Sequence, residues 1–274
     1  MIRFGKKEDQ KRLEELFDLC FPGEEGFVRW FFQKIWKPEN TLLLGEEPLQ
    51  AMLQLLPVQL CRGETCGRGR YIYGVGTHPS FRGKGLAGAL LEEARKKGEE
   101  QGIDLLMLIP QEPSLFEYYQ RFGYRTAFWM EERSIKAYEG EGRLSAARAE
   151  DLPEVAELYR RAMGSWLCVE RTLEDFAIQR ELYGDNALVL RQNGRITAWG
   201  CMESVEGSWR VCEALGPDAV QLAAAALKRA GAESGLCRLP TQTDDRPFAM
   251  ALPLTQKGEW LLKEKAGYCN LLFN

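Results

Sequence analysis

The residues best suited to chemistry stand together, where a predicted strand over residues 71–77 leads towards a predicted helix. Gly83 and Gly85 come just before that helix, and Arg82 and Lys84 alternate with them. Glycine lets the chain turn tightly and approach a ligand closely. The first N–H groups of a helix lack an intrahelical partner, and the helix dipole favours an anion there. This combination predicts a phosphate or pyrophosphate site.

Two common phosphate-binding patterns fit this stretch less well. A Walker P-loop needs Ser or Thr directly after its lysine, but Gly85 follows Lys84. The dinucleotide fingerprint is matched in spacing by Gly83, Gly85 and Gly88, and Glu112 lies near the distance of a ribose-binding acid. That fingerprint normally opens a parallel βαβ unit on the first strand, whereas several strands with hairpin-length connections precede it here. A nicotinamide-dependent oxidoreductase stays an open alternative.

Hydrophobic periodicity predicts the elements that position this stretch. In the first half we expect helices over 7–20, 25–36, 86–101 and 114–122, and strands over 41–44, 51–60, 71–77, 105–109 and 125–135. Short connections make the early strands antiparallel neighbours. Phe32 and Trp36 fall off the expected core stripe of the second helix.

A polar, glycine-containing segment at 137–142 predicts a linker, and the order of elements after it resembles the order before it. We expect helices over 151–163, 172–182 and 218–230, and strands over 187–191, 196–203, 209–214 and 235–239. The repeated order predicts an α/β (α+β) protein with two tandem domains, 1–137 and 143–274. Each would be a mixed, mostly antiparallel sheet flanked by helices.

Composition sets the class of protein. The chain has 274 residues, of which 45% are hydrophobic and 28% charged, as is usual for globular proteins of one or two domains. Its net charge of −4 disfavours a nucleic-acid binder, which usually has a basic excess. No apolar run is long enough to span a membrane, and the first residues do not form a secretory leader. We therefore expect a cytoplasmic protein that engages neither nucleic acid nor membrane.

Histidine and cysteine usage limits the metal chemistry. His78 is the single histidine, which excludes any metal site or proton shuttle that needs two histidines from one chain. The eight cysteines are scattered without a C-x-x-C pair, so we expect reduced thiols and no metal site.

The stretch from Val75 to Ala87 resembles motif A of the GCN5-related N-acetyltransferases (GNATs), whose core is R/Q-x-x-G-x-G/A. Arg82, Gly85 and Ala87 fill that core. Residues 116–124, with the sequence FEYYQRFGY, resemble motif B of the same family. Both motifs stand at the family's separation, and residues 1 to about 135 follow its order of elements.

The resemblance implies a sheet that splays between its two central strands, with acetyl-CoA in the splay. The pyrophosphate would lie on the loop and first helical turn made of Arg82, Gly83, Lys84, Gly85, Leu86, Ala87 and Gly88. The pantetheine would pair with the main chain of Val75 and Thr77, and an N–H of Val75 or Gly76 would polarise the acetyl carbonyl. An amine of a small molecule or peptide would attack the thioester directly, without an acyl-enzyme.

Tyr119 aligns with the family's tyrosine that protonates the departing CoA thiolate, whereas Tyr118 is expected to pack. The general base is left open among a water chain and the side chains of Glu24, Glu25, His78 and Glu112. Phe32, Trp36 and Trp166 are candidates to line the acceptor site.

The second half departs from the motif, because Gly216, Pro217 and Asp218 stand where the cradle is expected. Asp218 should cap the following helix and repel a pyrophosphate. We therefore predict a degenerate domain that binds no CoA and that covers the first domain, shapes the acceptor cleft or mediates assembly, including a homo-oligomer. Such a tandem is similar to the first two domains of the enhanced-intracellular-survival acetyltransferases, whose usual third domain is not expected here.

Three functions follow from these features. The leading hypothesis is an acetyl-CoA-dependent N-acetyltransferase. The second is a non-catalytic acyl-CoA-binding or regulatory protein, in which Tyr119 only packs. The third is the oxidoreductase named above.

Overall fold

The computed structural model describes residues 1–23, 25–205, 207–241, 246–263 and 267–270, with only the backbone at Glu25. The α-helices are α1 (Gln10–Cys20), α2 (Glu25–Lys34), α3 (Leu86–Glu100), α4 (Pro113–Gln120), α5 (Leu152–Met163), α6 (Leu173–Tyr183), α7 (Ala219–Arg229) and α8 (Gln256–Leu261). The strands of the first half are β1 (Ile2–Phe4), β2 (Thr41–Leu44), β3 (Ala51–Arg62), β4 (Thr65–Thr77), β5 (Leu105–Leu108) and β6 (Arg125–Lys136). Those of the second half are β7 (Arg143–Ala146), β8 (Leu167–Val169), β9 (Ala187–Gln192), β10 (Arg195–Val205), β11 (Ser208–Leu215), β12 (Ser234–Pro240), β13 (Arg246–Pro253) and β14 (Gly267–Tyr268).

Every element that periodicity predicts is present, and the mixed α/β class, with a mostly antiparallel sheet flanked by helices, is confirmed. The elements after residue 240 and the short strands β1, β7 and β8 were not predicted. Within the described part of the chain, no helix is both long and apolar enough to cross a membrane.

The chain forms two compact units that do not divide at the linker 137–142. Unit 1 contains Met1–Leu60, Gly67–Thr126 and Ala249–Lys263, and unit 2 contains Cys61–Cys66, Ala127–Phe248 and Glu264–Asn274. The strand order is β1-β2-β3-β4-β5-β13 in unit 1 and β7-β9-β10-β11-β12-β6 in unit 2. Each unit takes its sixth strand from the other half of the sequence, because β13 pairs antiparallel with β5 and β6 pairs antiparallel with β12.

The core of unit 1 explains why its helices lie where they do. Leu90, Leu91 and Ala94 form the buried face of α3, and they share one cluster with residues of the sheet such as Leu106 and Leu108. Burying a side chain of this size is worth about 1.5–3 kcal/mol. All residues of β5 are buried, which is why this strand is a short continuous apolar run.

The strand β4 continues beyond the end of its parallel partner β5, and this end of β4 positions the site. Their pairing runs from Gly69 opposite Leu105 to Ile72 opposite Leu108, while β4 continues to Thr77. Gly74 interrupts the continuing part with φ +59, a conformation typical of a bulge. Main-chain groups of residues 73–77 that face the β5 side therefore have no strand partner there among the described residues.

In unit 2, the parallel pairing of β11 with β12 also ends before β11 does. Their parallel pairing covers only Arg210 and Val211 on β11, which continues to Leu215. The alanine-rich helix α7 packs closely on the sheet, since Ala223, Ala224 and Ala226 are fully buried. A cavity of ≈ 870 Å³ lies in this unit, lined in part by Ala214, Gly216, Pro217, Leu239 and Pro240.

Three sequence expectations are corrected by the packing. Cys61 and Cys66 are joined by a disulfide, whereas all cysteines were expected to be reduced. Phe32 is buried at 3% exposure against Phe17 and Phe31, so it belongs to the core rather than to an acceptor site. Asp218 stands at the N-cap of α7, but its side chain accepts no capping hydrogen bond.

Candidate active site

The predicted phosphate cradle is an open loop at the start of α3. Gly83 and Gly85 have φ of +77 and +75, which L-residues rarely adopt, and a Cβ on either would meet nothing within 4 Å. The Ala89 amide is the first of α3 to donate a helical hydrogen bond, and its acceptor is the Gly85 carbonyl, 3.0 Å away. The amides of the first turn, including those of Leu86 and Ala87, therefore lack an acceptor one turn earlier. The loop has both the room and the donors to bind an anion.

Two cations flank these amides, and both are exposed. Arg82 Nε donates to the Thr77 carbonyl, 3.2 Å, which ties the guanidinium to the end of β4. Lys84 Nζ lies 4.9 Å from the centre of the Phe81 ring, within range of a cation–π interaction. Because neither contact uses a carboxylate, these two contacts leave the positive charges un-neutralised, and the cations add to the helix dipole.

His78 has a structural role at the turn before the cradle. Its Nδ1 accepts a hydrogen bond from the Ser80 amide, 3.2 Å, and thereby caps the 3-10 turn Pro79–Phe81. Its own amide donates to the Gln50 carbonyl, 2.9 Å. These contacts support a positioning residue for the loop rather than a general base.

The end of β4 is held tightly by α1. A Cβ on Gly74 would lie 2.8 Å from a ring carbon of Phe17, and a Cβ on Gly76 would lie 2.9 Å from Cys20 Sγ. Such distances exclude a side chain at either position without movement of α1. The backbone beside Val75 is therefore fixed in place, which is what an oxyanion-binding N–H requires.

Cys20 is the last residue of α1 and is not among the candidate site residues that the sequence indicates. The thiol is half-buried, lies against Gly76 and is close enough to Arg82 to be influenced by it. Burial raises the pKa of this thiol, and Arg82 partly opposes that rise. Only the tertiary structure brings α1 to the end of β4, so no sequence signal marks this neighbour.

Tyr119 lies on α4 and is almost buried, with 7% exposure. Its ring makes edge contacts with Tyr118 at 5.3 Å and Tyr124 at 6.1 Å between centroids. Burial raises the pKa of Tyr119 to about 12, so the phenol stays protonated at neutral pH. The group is thus suited to donate a hydrogen bond, and less suited to give up its proton.

Gly88 serves the packing of α4 against α3. It is buried, and a Cβ there would lie 2.8 Å from Phe122 Cζ. Tyr118 is half-buried, and the Arg121 guanidinium lies 4.8 Å from its ring centre. Tyr118 therefore packs, as expected, and Gly88 is explained without a ligand.

Of the remaining candidates, the structure describes Glu112, Trp36 and Trp166. Glu112 is exposed at the N-cap of α4 and makes no capping hydrogen bond, and Glu24 and the side chain of Glu25 lie outside the described residues. Trp36 is half-buried and its Nε1 donates to Thr41 Oγ1, 2.8 Å. Trp166 packs against the core of unit 2.

Known proteins resemble this chain in sequence over residues 1–127 and in fold over most of its length. Residues 1–127 match the family model of the acetyltransferase (GNAT) domain. No curated protein sequence matches the chain. The solved structures it is similar to share little sequence, so they show the fold alone.

Three of these structures cover both halves of the chain. A probable N-acyltransferase from Enterococcus faecalis V583 has 18% identity and a TM-score of 0.74, over 94% of this chain and 74% of that one. Eis1 from Mycobacterium abscessus has 15% identity and a TM-score of 0.64, over 93% and 74%. N-myristoyltransferase from Saccharomyces cerevisiae, solved with bound myristoyl-CoA, has 13% identity and a TM-score of 0.62, over 92% and 81%.

Proposed function

We propose that the protein transfers an acetyl group from acetyl-CoA to a primary amine, and the match of residues 1–127 to the acetyltransferase (GNAT) domain model supports this. One observation carries the proposal. The pairing of β4 with β5 ends at Ile72 while β4 continues to Thr77, and the loop after β4 presents amides and two cations at the start of α3. This is an opening for a long thin ligand, with an anion site at one end.

Different residues of the cradle and of β4 bind different parts of acetyl-CoA. The amides of the first turn of α3, with the Arg82 and Lys84 cations, bind the pyrophosphate, because both contribute positive potential. The main chain of Val75 and Thr77 pairs with the pantetheine amides. An N–H at Val75 or Gly76 donates to the thioester carbonyl, where negative charge develops during attack.

The transfer itself needs one bond formed and one broken. The neutral amine nitrogen attacks the carbonyl carbon, the C–N bond forms, and the C–S bond breaks to release the CoA thiolate. The amine proton leaves to water. Tyr119 stabilises the thiolate by donating a hydrogen bond, since a pKa of about 12 makes full transfer to a thiolate near pKa ~8.5 unfavourable.

A thermal-shift comparison of the full chain with acetyl-CoA, CoA, NAD and buffer tests this function. A ligand at 100 times its dissociation constant stabilises the fold by about 2.7 kcal/mol, which corresponds to a rise in Tm of several degrees. We expect a rise with acetyl-CoA and CoA. A rise with NAD alone would support the oxidoreductase instead, and no rise with any ligand would contradict the proposal.

A non-catalytic acyl-CoA-binding protein is the second candidate, favoured by the burial of Tyr119 within the core. The two candidates differ in turnover and not in binding. A screen of polyamines, aminoglycosides and lysine peptides with chromatographic detection of free CoA separates them. Binding of acetyl-CoA without CoA release on any amine would support this second candidate.

A further inference from the structure

Three metal-ligating side chains meet in unit 2, and none of them belongs to the cradle. Cys61, Cys66 and Glu170 each offer one ligand atom, and these atoms lie within 4.8 Å of one another. Cys61 Sγ is 3.9 Å from Glu170 Oε2. Cys61 is buried, Cys66 is half-buried and Glu170 is exposed, so the cluster is reachable from solvent on one side.

Local structure brings the two cysteines together. A two-residue turn joins β3 to β4, and its first residue, Gly63, has φ +57, which suits a hairpin turn of the primed type. Cys61 and Cys66 therefore stand across the hairpin, with Cα atoms 4.1 Å apart. Glu170 directly follows β8, so both parts of the cluster are anchored by strands.

We propose that Cys61, Cys66 and Glu170 form a Zn²⁺ site when the two cysteines are reduced. Two thiolates and a carboxylate are ligands that zinc accepts, and thiolates disfavour Mg²⁺ and Ca²⁺. On binding, two Zn–S bonds form and the two thiol protons leave to solvent. The disulfide is the alternative state of the same sulfurs, and a dithiol reductant converts it to two thiols while becoming a disulfide itself.

The coordination set defines the kind of site. Three protein ligands leave a fourth position for water, so the metal is exchangeable rather than enclosed as in a closed structural site. Three anionic ligands around Zn²⁺ leave one negative charge on the site.

Zinc titration of the full chain in competition with a chromophoric chelator tests the site. The same protein is compared after reduction with a phosphine and after oxidation of the pair to the disulfide. We expect one zinc per chain in the reduced protein and none in the oxidised protein. Equal binding in the two states would overturn the proposal, because the remaining thiols would then hold the metal.

Two variants identify the ligands. Cys66→Ser and Glu170→Gln should each weaken zinc binding of the reduced protein at least tenfold, with far-ultraviolet circular dichroism confirming the fold. Glu174→Gln is the matched control, since Glu174 is an exposed carboxylate on α6 outside the cluster, and it should leave the affinity unchanged. Unchanged affinity in Cys66→Ser would also overturn the proposal.

Discussion

Gly85 is the residue on which the proposed anion site depends most directly, because its left-handed backbone opens the loop and its missing side chain leaves space. Gly85→Asp should lower acetyl-CoA affinity at least 100-fold by placing a carboxylate beside the pyrophosphate. The measurement is calorimetric titration of acetyl-CoA. Unchanged affinity would mean that the cradle is elsewhere.

Gly194 provides a matched control for that substitution. It has φ +78, and a Cβ there would also meet nothing within 4 Å, but it lies in unit 2. Gly194→Asp should impose a similar backbone strain, of about 1–2 kcal/mol, and leave the affinity for acetyl-CoA as it is. The pair therefore separates loss of the site from loss of stability.

A substitution of Tyr119 tests the transfer step rather than the binding of acetyl-CoA. Tyr119→Phe should lower kcat by about 100-fold or more and leave the Kd of acetyl-CoA nearly unchanged, because the ring still packs. Since its pKa is raised to about 12, ionisation of this phenol should not lower the rate as pH rises from 7 to 10. The measurement is steady-state turnover against pH, once an amine is found.

Tyr124→Phe is the control for this variant. The Tyr124 hydroxyl is buried and has no hydrogen-bond partner among the described residues, and burial raises its pKa. Removing a buried unpartnered hydroxyl should keep turnover and keep or raise the Tm. If both variants keep full turnover, Tyr119 only packs.

At the scale of elements, a buried charge network ties the C-terminal segment to the sheet of unit 2. Arg171 makes two hydrogen bonds of 2.8 Å to the carboxylate of Glu213, which is fully buried on β11. Tyr268 on β14 donates to the same carboxylate, 2.5 Å, and Arg171 also donates to the Asn270 carbonyl. The network holds β14, β11 and the segment after β8 together.

Glu213→Gln should lower the free energy of unfolding by about 3–5 kcal/mol, because it leaves the Arg171 charge buried and unpaired. Burial works against ionisation, but Arg171 and Tyr268 outweigh it and hold the pKa of Glu213 below its usual value. The stabilisation by the ionised Glu213 carboxylate is therefore present above about pH 4.3. It is lost as the pH falls through the lower pKa of this carboxyl in the folded state. Urea unfolding at pH 7 and at lower pH measures both effects.

A partly exposed ion pair between β10 and β11 serves as the comparison for this variant. Glu203 lies 4.0 Å from Arg210, and both side chains are about one-third exposed. Glu203→Gln should cost less than about 1 kcal/mol, since exposed pairs contribute little. A similar cost for both variants would show that the buried network contributes no more than a surface pair.

At the scale of the whole molecule, the exchange of sixth strands makes the two halves of the sequence depend on each other. A fragment 1–137 lacks β13 and α8, and a fragment 143–274 lacks β6. Each would expose the edge of a strand that is internal to its sheet, β5 or β12, with unpaired main-chain groups. We expect neither fragment alone to show a cooperative thermal transition.

Cleavage of the folded chain within 137–142 is the control, because it cuts the same place after the strands have paired. The nicked protein should keep its Tm and its acetyl-CoA binding. Scanning calorimetry compares the three samples. A cooperative transition and acetyl-CoA binding by fragment 1–137 would contradict the dependence of the halves on each other.

The sequence by itself was sufficient for features that depend on near neighbours. The left-handed glycines of the cradle, the adjacent cations and the start of α3 lie within a few residues, so their types and spacing predict the loop directly. Helix and strand periods likewise report which side chains are buried, and the predicted elements are present. The roles of Tyr119 and of the cradle residues in catalysis stay predictions.

Only the tertiary structure decided which distant segments meet. Periodicity shows that β6 is half-buried, but it carries no information on its partner, which is β12. Phe32 is buried because α1 meets α2, and Cys61 meets Glu170 because β8 comes to the hairpin. The physical reason is common to all three: burial is a local property of a side chain, whereas pairing is a choice among surfaces far apart in the chain.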